Sequence, residues 1–255
     1  MSVPNIWYLI KFFTEERYAD QFMAGELYLN TLDYFRQVES ADSDGRADLT
    51  EGIAMWWQPH DLVMKINFPG MGEVEITKND LAGPVSMSFH HHNNLHLFCV
   101  YAIHTTGFEV IDGQLSLSPE QVDELQAQLQ IDERCMQFGK FAVITPAVPF
   151  LAQLKTALAG EHHRAQAKLV EYYNEETFHG EIPLKEIPFR KQKRFSYQKE
   201  FRLCVFPRTS EEADNASPIT INIGDISHIC AKVESSQLPE LIQLKTEPEP
   251  PLRTN

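Results

Sequence analysis

Apolar and polar positions along this chain are arranged more often with the period of strands than of helices. Residues 6–13, Ile-Trp-Tyr-Leu-Ile-Lys-Phe-Phe, form an aromatic and β-branched run broken only by Lys11, which predicts a buried first strand. Thr14 then reads as a helix N-cap, with Glu15 and Glu16 suited to the positive end of the helix dipole. Tyr18, Phe22 and Met23 recur at helical spacing, and Gly25 closes that helix. Glu26 to Thr31 alternates and predicts a second strand. Residues 62–68 and 72–77 alternate on either side of Pro69-Gly-Met-Gly, a hairpin signal, and 84–89 and 95–103 supply two more strands.

Ser118-Pro-Glu-Gln121 combines an N-cap, a proline at the first helical position and the glutamine of a capping box, so a helix starts there. Residues 140–145 predict a strand, and Phe150, Leu151, Leu154 and Leu158 a helix closed by Gly160. Strands are also expected over 167–173, 194–206, 219–223 and 226–233. With strands outnumbering helices and no internal repeat, the fold class is α+β. One domain is expected over 1–245, followed by a disordered Pro-rich polar tail over 246–255.

Composition narrows the picture. With 43% hydrophobic residues in 255, a large core is available, and nothing suggests a fibrous or disordered chain. A formal net charge of −14 argues against indiscriminate coating of nucleic acid, though not against a local basic site. The four cysteines form no CxxC pair and read as buried free thiols of a reducing compartment. There is no basic leader and no run of ~20 apolar residues, so a cytoplasmic protein without membrane contact is expected. Absence of GxGxxG, P-loop and GxSxG patterns leaves nucleotide hydrolysis and serine-hydrolase chemistry without a foothold. His90-His-His, His96 and His104 lack metal-ligand spacing, and no metal is expected.

The chemistry concentrates in residues 195–205, Phe-Ser-Tyr-Gln-Lys-Glu-Phe-Arg-Leu-Cys-Val. Read as one strand, its odd positions are apolar except Lys199, and its even positions line up Gln198, Glu200 and Arg202 at ~7 Å steps. The plain alternative is a half-exposed strand with a surface Glu200–Arg202 pair worth under ~1 kcal/mol. Residues 185–202 also gather seven Lys and Arg against Glu186 and Glu200, a local +5 that suits phosphates or a nucleic acid.

The Gln198-x-Glu200 pattern, late in the chain, resembles the Gln/Glu-x-Glu motif of mono-ADP-ribosyltransferases. Scattered blocks also resemble an uncharacterised bacterial family found beside phage-defence genes: the aromatic-x-x-Lys11-Phe run, Gly25-Glu-Leu-Tyr-Leu-Asn30, Arg46-Ala-Asp-Leu-Thr-Glu-Gly52 and Tyr197-Gln-Lys-Glu-Phe-Arg202. The resemblance implies a transferase-like split β-sheet core with helical and hairpin insertions. It implies NAD as substrate and ADP-ribose transfer to a macromolecule, RNA, DNA or protein, by a bacterial toxin or antiphage effector, with an antitoxin partner left open. Glu200 would stabilise the cationic ribose of the transition state and Gln198 orient the acceptor. Lys11, Tyr28, Asn30, Thr31, Arg46 and Arg202 would bind the cofactor, and Asp48, Glu51 and Tyr197 are acceptor or loop candidates. Lys11 stands where the family carries His or Arg, and Tyr28, Asn30 and Thr31 stand where it carries Ser-Thr-Ser or Tyr. A nuclease-type effector and a non-catalytic sensor on the same fold remain alternatives.

Overall fold

The computed structural model describes residues 4–41, 50–108, 117–161 and 163–242. Its main sheet has eight strands: β1 (Asn5–Phe13), β2 (Glu26–Thr31), β3 (His96–Thr105), β4 (Phe141–Pro146), β5 (Arg164–Leu169), β6 (Glu200–Phe206), β7 (Ile219–Asn222) and β8 (Ala231–Glu234). The longer helices are α1 (Glu16–Met23), α2 (Leu32–Ala41), α3 (Pro119–Leu129) and α4 (Ala147–Gly160). The path β7-β2-β3-β1-β4-β8 is antiparallel at every step, and β6 joins β3 to β5. The architecture is mixed α and β with antiparallel sheets, in keeping with an α+β class.

The central strand β3 is longer than its neighbours, and this shapes the molecule. Along one edge β6 pairs with it from Glu200 opposite Tyr101 to Val205 opposite His96. The other edge is shared. β1 takes its far half, from Asn5 opposite Thr105 to Ile10 opposite Tyr101, and β2 takes only Asn30 opposite Leu97 and Thr31 opposite His96. Between these two pairings β1 and β2 part, and the stretch Phe98 to Val100 has no strand partner on that edge among the described residues. Lys11 replaces the missing strand: its Nζ donates to the Cys99 carbonyl at 2.7 Å.

Alternation along the strands builds two cores. One face carries Leu9, Phe98, Val100 and Leu203 beneath Phe22 of α1 and Phe150 of α4. The opposite face carries Ile10, Tyr101 and Ile103 with Cys135 and Leu238, and further along Leu97 and Cys204 with Phe189. All four cysteines are free thiols.

Several local readings need correction. The N-cap of α1 is Glu15, which makes no side-chain cap bond, not Thr14. The strand expected over 194–206 is broken. Lys193–Gln198 is a 3-10 turn, Lys199 turns the corner with φ +38°, and the strand begins at Glu200. The strand expected over 226–233 is a 3-10 turn, Ser227–Ile229, followed by β8. The run over 167–173 divides into β5 and a short strand, Glu171–Tyr173, that pairs in parallel with Arg190–Gln192. Helix α2 and the Ile53–Trp57 strand were not foreseen. The residues of the expected tail, 246–255, lie outside those described.

Candidate functional site

Where β1 and β2 part, a cleft of about 920 Å³ opens. Its floor is set by buried groups: Phe98, Asn30 and Thr31, with Lys11 lying 4.7 Å over the Phe98 ring. Burial lowers the Lys11 ammonium below its ordinary pKa, an effect partly offset by Cys99 and Glu200 nearby. The cleft's mouth is aromatic and exposed, with Tyr28 60% accessible and Tyr34 45%. One side of β2 runs from mouth to floor as Glu26, Tyr28 and Asn30, since every second side chain of a strand shares a side. Asn30 Oδ1 accepts from the Thr31 N–H, and Thr31 Oγ1 accepts from the Tyr34 N–H, so the strand ends by capping α2. The next two backbone donors, at Leu32 and Asp33, are taken by the Leu95 and Asn93 carbonyls. The start of α2 therefore offers the cleft side chains rather than free N–H groups.

Behind the floor lies a buried ionic cluster centred on Arg202, which is 1% exposed. Its Nε and Nη2 donate to the two oxygens of Glu200 at 2.8 and 3.0 Å. Its Nη1 and Nη2 donate to the two oxygens of Glu51 at 2.6 and 3.0 Å, and Nη1 also donates to the Pro188 carbonyl at 2.7 Å. All five guanidinium donors are thus used, four of them in two forked carboxylate pairs. Lys191 stands 3.5 Å from an oxygen of each carboxylate and donates to Gln198 Oε1 at 2.8 Å.

The Glu200 backbone N–H donates to the Tyr172 hydroxyl at 2.9 Å, and the Cys99 thiol hydrogen-bonds its carboxylate. Burial would raise the Glu200 carboxyl, but Arg202 and Lys191 outweigh it and hold the group well below the usual carboxylate range. Arg202 is held above its ordinary value, Glu200 and Glu51 together overcoming the burial that opposes charge. Burial, then the Glu200 charge, pushes the Cys99 thiol well up, so it is protonated and no nucleophile.

No protein-family model, curated protein or solved structure matches this chain.

Of the residues singled out in the sequence, Lys11, Tyr28, Asn30 and Thr31 line one cleft. Glu200 and Gln198 do not line it: Glu200 stands on β6, along the opposite edge of β3, electrostatically coupled to Lys11 and bonded to Cys99. Gln198 comes close to Glu200, but through the Lys193–Gln198 turn and the shared Lys191 rather than as an i+2 neighbour on a strand. Arg202 is not available to a cofactor, because no donor is left over. Glu51 is not a solvated loop acid: it is wholly buried against Arg202, and its carbonyl accepts from Nε and Nη2 of Arg36 at 3.1 and 2.8 Å. Tyr197 packs beneath the Arg134 guanidinium, 3.7 Å from its ring centroid, and does not line the cleft. Arg46 and Asp48 lie outside the described residues.

The basic run over 185–202 is divided, with Lys185, Lys193 and Arg194 exposed. Lys191 and Arg202 are interior and paired, Arg190 pairs with Glu171, and Lys199 donates to the Gln128 and Gln130 carbonyls at the end of α3. Lys191, Cys99 and Arg36 were missed, and Lys191, between Arg190 and Gln192 in a basic run, carries no local signal of burial.

Proposed function

We propose that this chain is an NAD-dependent mono-ADP-ribosyltransferase that works in the cleft between β1 and β2. The observation that carries the reading is the parting of these strands along β3. It gathers Lys11, Tyr28, Asn30 and Thr31 on one cavity, with the Glu200 cluster across β3 from it. A volume of about 920 Å³ lies within the range of cofactor sites, ~300–1,000 Å³. The parting also supports a split-sheet core of the transferase kind. A toxin or antiphage setting rests on the sequence resemblance alone.

In this reading the ribose sits over Lys11 and Asn30. The bond from its anomeric carbon to nicotinamide breaks, the electron pair leaving with the ring. The acceptor's nucleophilic atom bonds the same carbon and gives its proton to solvent. Positive charge grows on the ribose as the bond lengthens, so a fixed carboxylate stabilises the transition state more than the ground state. Glu200 can take that role only by exchanging one Arg202 bond for a ribose hydroxyl. Glu51 makes the exchange feasible, since it keeps Arg202 paired while Glu200 turns.

Incubation with NAD should release nicotinamide. Glu200→Gln should abolish the release with the far-UV spectrum retained, and Tyr28→Ala, at an exposed position, should raise KM. Full turnover by Glu200→Gln, or none by the wild-type protein, would remove the transferase reading. A second reading is favoured by one observation: both Glu200 oxygens are already bonded to Arg202. The cluster would then be structural and the cleft a binding site without turnover. NAD binding in the calorimeter without nicotinamide release would select it.

A further inference from the structure

We infer that the hairpin over residues 64–76 is a self-association surface, its apolar face stacking on the same face of a second copy of this chain. Such a contact owes nothing to the chemistry of the cleft.

The two strands, Met64–Phe68 and Gly72–Ile76, pair only with each other among the described residues, around a turn in which the Met71 N–H donates to the Phe68 carbonyl at 3.0 Å. Side chains alternate along each strand, so the register sets Met64 against Ile76 and Ile66 against Val74 on one face, with Phe68 beyond them. Lys65, Asn67, Glu73 and Glu75 all fall on the other face, where Lys65 reaches Glu73 at 2.9 Å. Ile66, Phe68, Met71 and Val74 are exposed. A lone exposed apolar residue needs no explanation, but a contiguous group on an element that is marginal by itself does.

Charge decides the occupant. With a net charge of −14, two copies of this chain repel wherever their carboxylates meet. The apolar face carries no ionisable group, so the copies can touch there without bringing like charges together. It offers nothing to hold a nucleic acid or a basic peptide. Pairing edge to edge is guarded instead. Lys65 lies on one edge strand and Glu73 with Glu75 on the other, and charged side chains on edges oppose open-ended strand addition. Stacking leaves those three in water and closes on itself about a two-fold axis, the two layers ~10 Å apart. The face is small against the ~1,000 Å² that a stable interface clears, so the dimer is weak and depends on concentration.

Sedimentation velocity of the full chain over a wide concentration range, at low and at high sodium chloride, tests this. The sedimentation coefficient should rise from monomer to dimer with concentration. That rise should come at lower concentration in high salt, where repulsion between bodies of charge −14 is screened. Val74→Thr keeps a strand-forming side chain and should weaken the dimer about fivefold or more. Ile66→Glu, which sets a carboxylate in the contact, should leave only monomer. Lys65→Gln, on the far face, should change dimerisation less than about twofold. Far-UV spectra and thermal midpoints show whether each variant folds, and Val74→Thr carries the test if Ile66→Glu does not. A chain that stays monomeric throughout would overturn the inference and leave the face to another partner. Association that salt dissolves or that Lys65→Gln abolishes, or growth past the dimer, would overturn it in favour of edge pairing.

Discussion

At the scale of residues, the interior is organised by Arg202. A buried guanidinium with every donor satisfied is stable only while its carboxylates remain, since each ion left unpaired pays its desolvation in full. Arg202→Met should therefore cost ~3–5 kcal/mol, leaving Glu51 and Glu200 to share Lys191, and urea unfolding measures it. Arg202→Lys should recover little, because an ammonium cannot form two forked pairs. Acid sensitivity has two parts with one sign. Glu200 has a folded pKa below its ordinary 4.5, so its contribution is whole above that value and is lost as the pH falls through the depressed one. His92 is lowered from 6.5 to about 4, by burial and then by the neighbouring His91, and its Nδ1 has no hydrogen-bond partner. The unfolded chain takes up that proton first, so stability should decline from about pH 6.5 toward about 4. His92→Phe should reduce the slope of this part of a pH–stability curve, His104, lowered by burial and Lys199, supplying the remainder. A His92 variant with an unchanged curve would show that other groups set the slope.

At the scale of elements, legibility followed how local the deciding interaction is. The capping box at Ser118 and the turn at Pro69-Gly-Met-Gly were readable because the residues that make the bonds are neighbours in sequence. The run from Phe195 to Val205 deceived because its alternation is that of a strand, while a left-handed Lys199, which no pattern of hydrophobicity marks, breaks it. Helix α2 escaped because Thr31 reads as the end of a strand, although the same hydroxyl caps the helix. Lys11, Tyr28 and Asn30 could be picked out by residue type. That they gather at the parting of β1 from β2 depends on the register of both against β3, which no local pattern encodes.

Gly25 shows how tightly the cleft side is built. It has φ +96°, and a Cβ there would lie 2.1 Å from the Gly224 carbonyl oxygen, which is backbone rather than the end of a flexible side chain. Gly25→Ala should cost ~2–4 kcal/mol, combining strain with that clash. Gly70, with φ +83° and open space around it, should cost only the left-handed penalty of ~1–2 kcal/mol. Thermal unfolding of the two variants separates the terms, and equal losses would mean that Gly224 yields.

At the scale of the whole molecule, the buried charges balance, Lys191 and Arg202 against Glu51 and Glu200, so the net charge of −14 is carried by the other residues. Against that charged exterior one element stands out. The hairpin strands Met64–Phe68 and Gly72–Ile76 pair only with each other, and their register puts Met64, Ile66, Phe68, Val74 and Ile76 on one face and Lys65, Asn67, Glu73 and Glu75 on the other. Ile66, Phe68 and Val74 on the apolar face remain exposed, and Met71 at the turn is 80% accessible. A two-stranded hairpin is marginal in water by itself, and contiguous exposed apolar groups favour association. Because these side chains are not covered by the main sheet, Phe68→Ser with Met71→Ser should change global stability by no more than about 0.5 kcal/mol. Concentration-dependent association in sedimentation velocity should fall at the same time. A large loss of stability would mean instead that the hairpin packs on the body of the protein, and its apolar face would have to be counted as core.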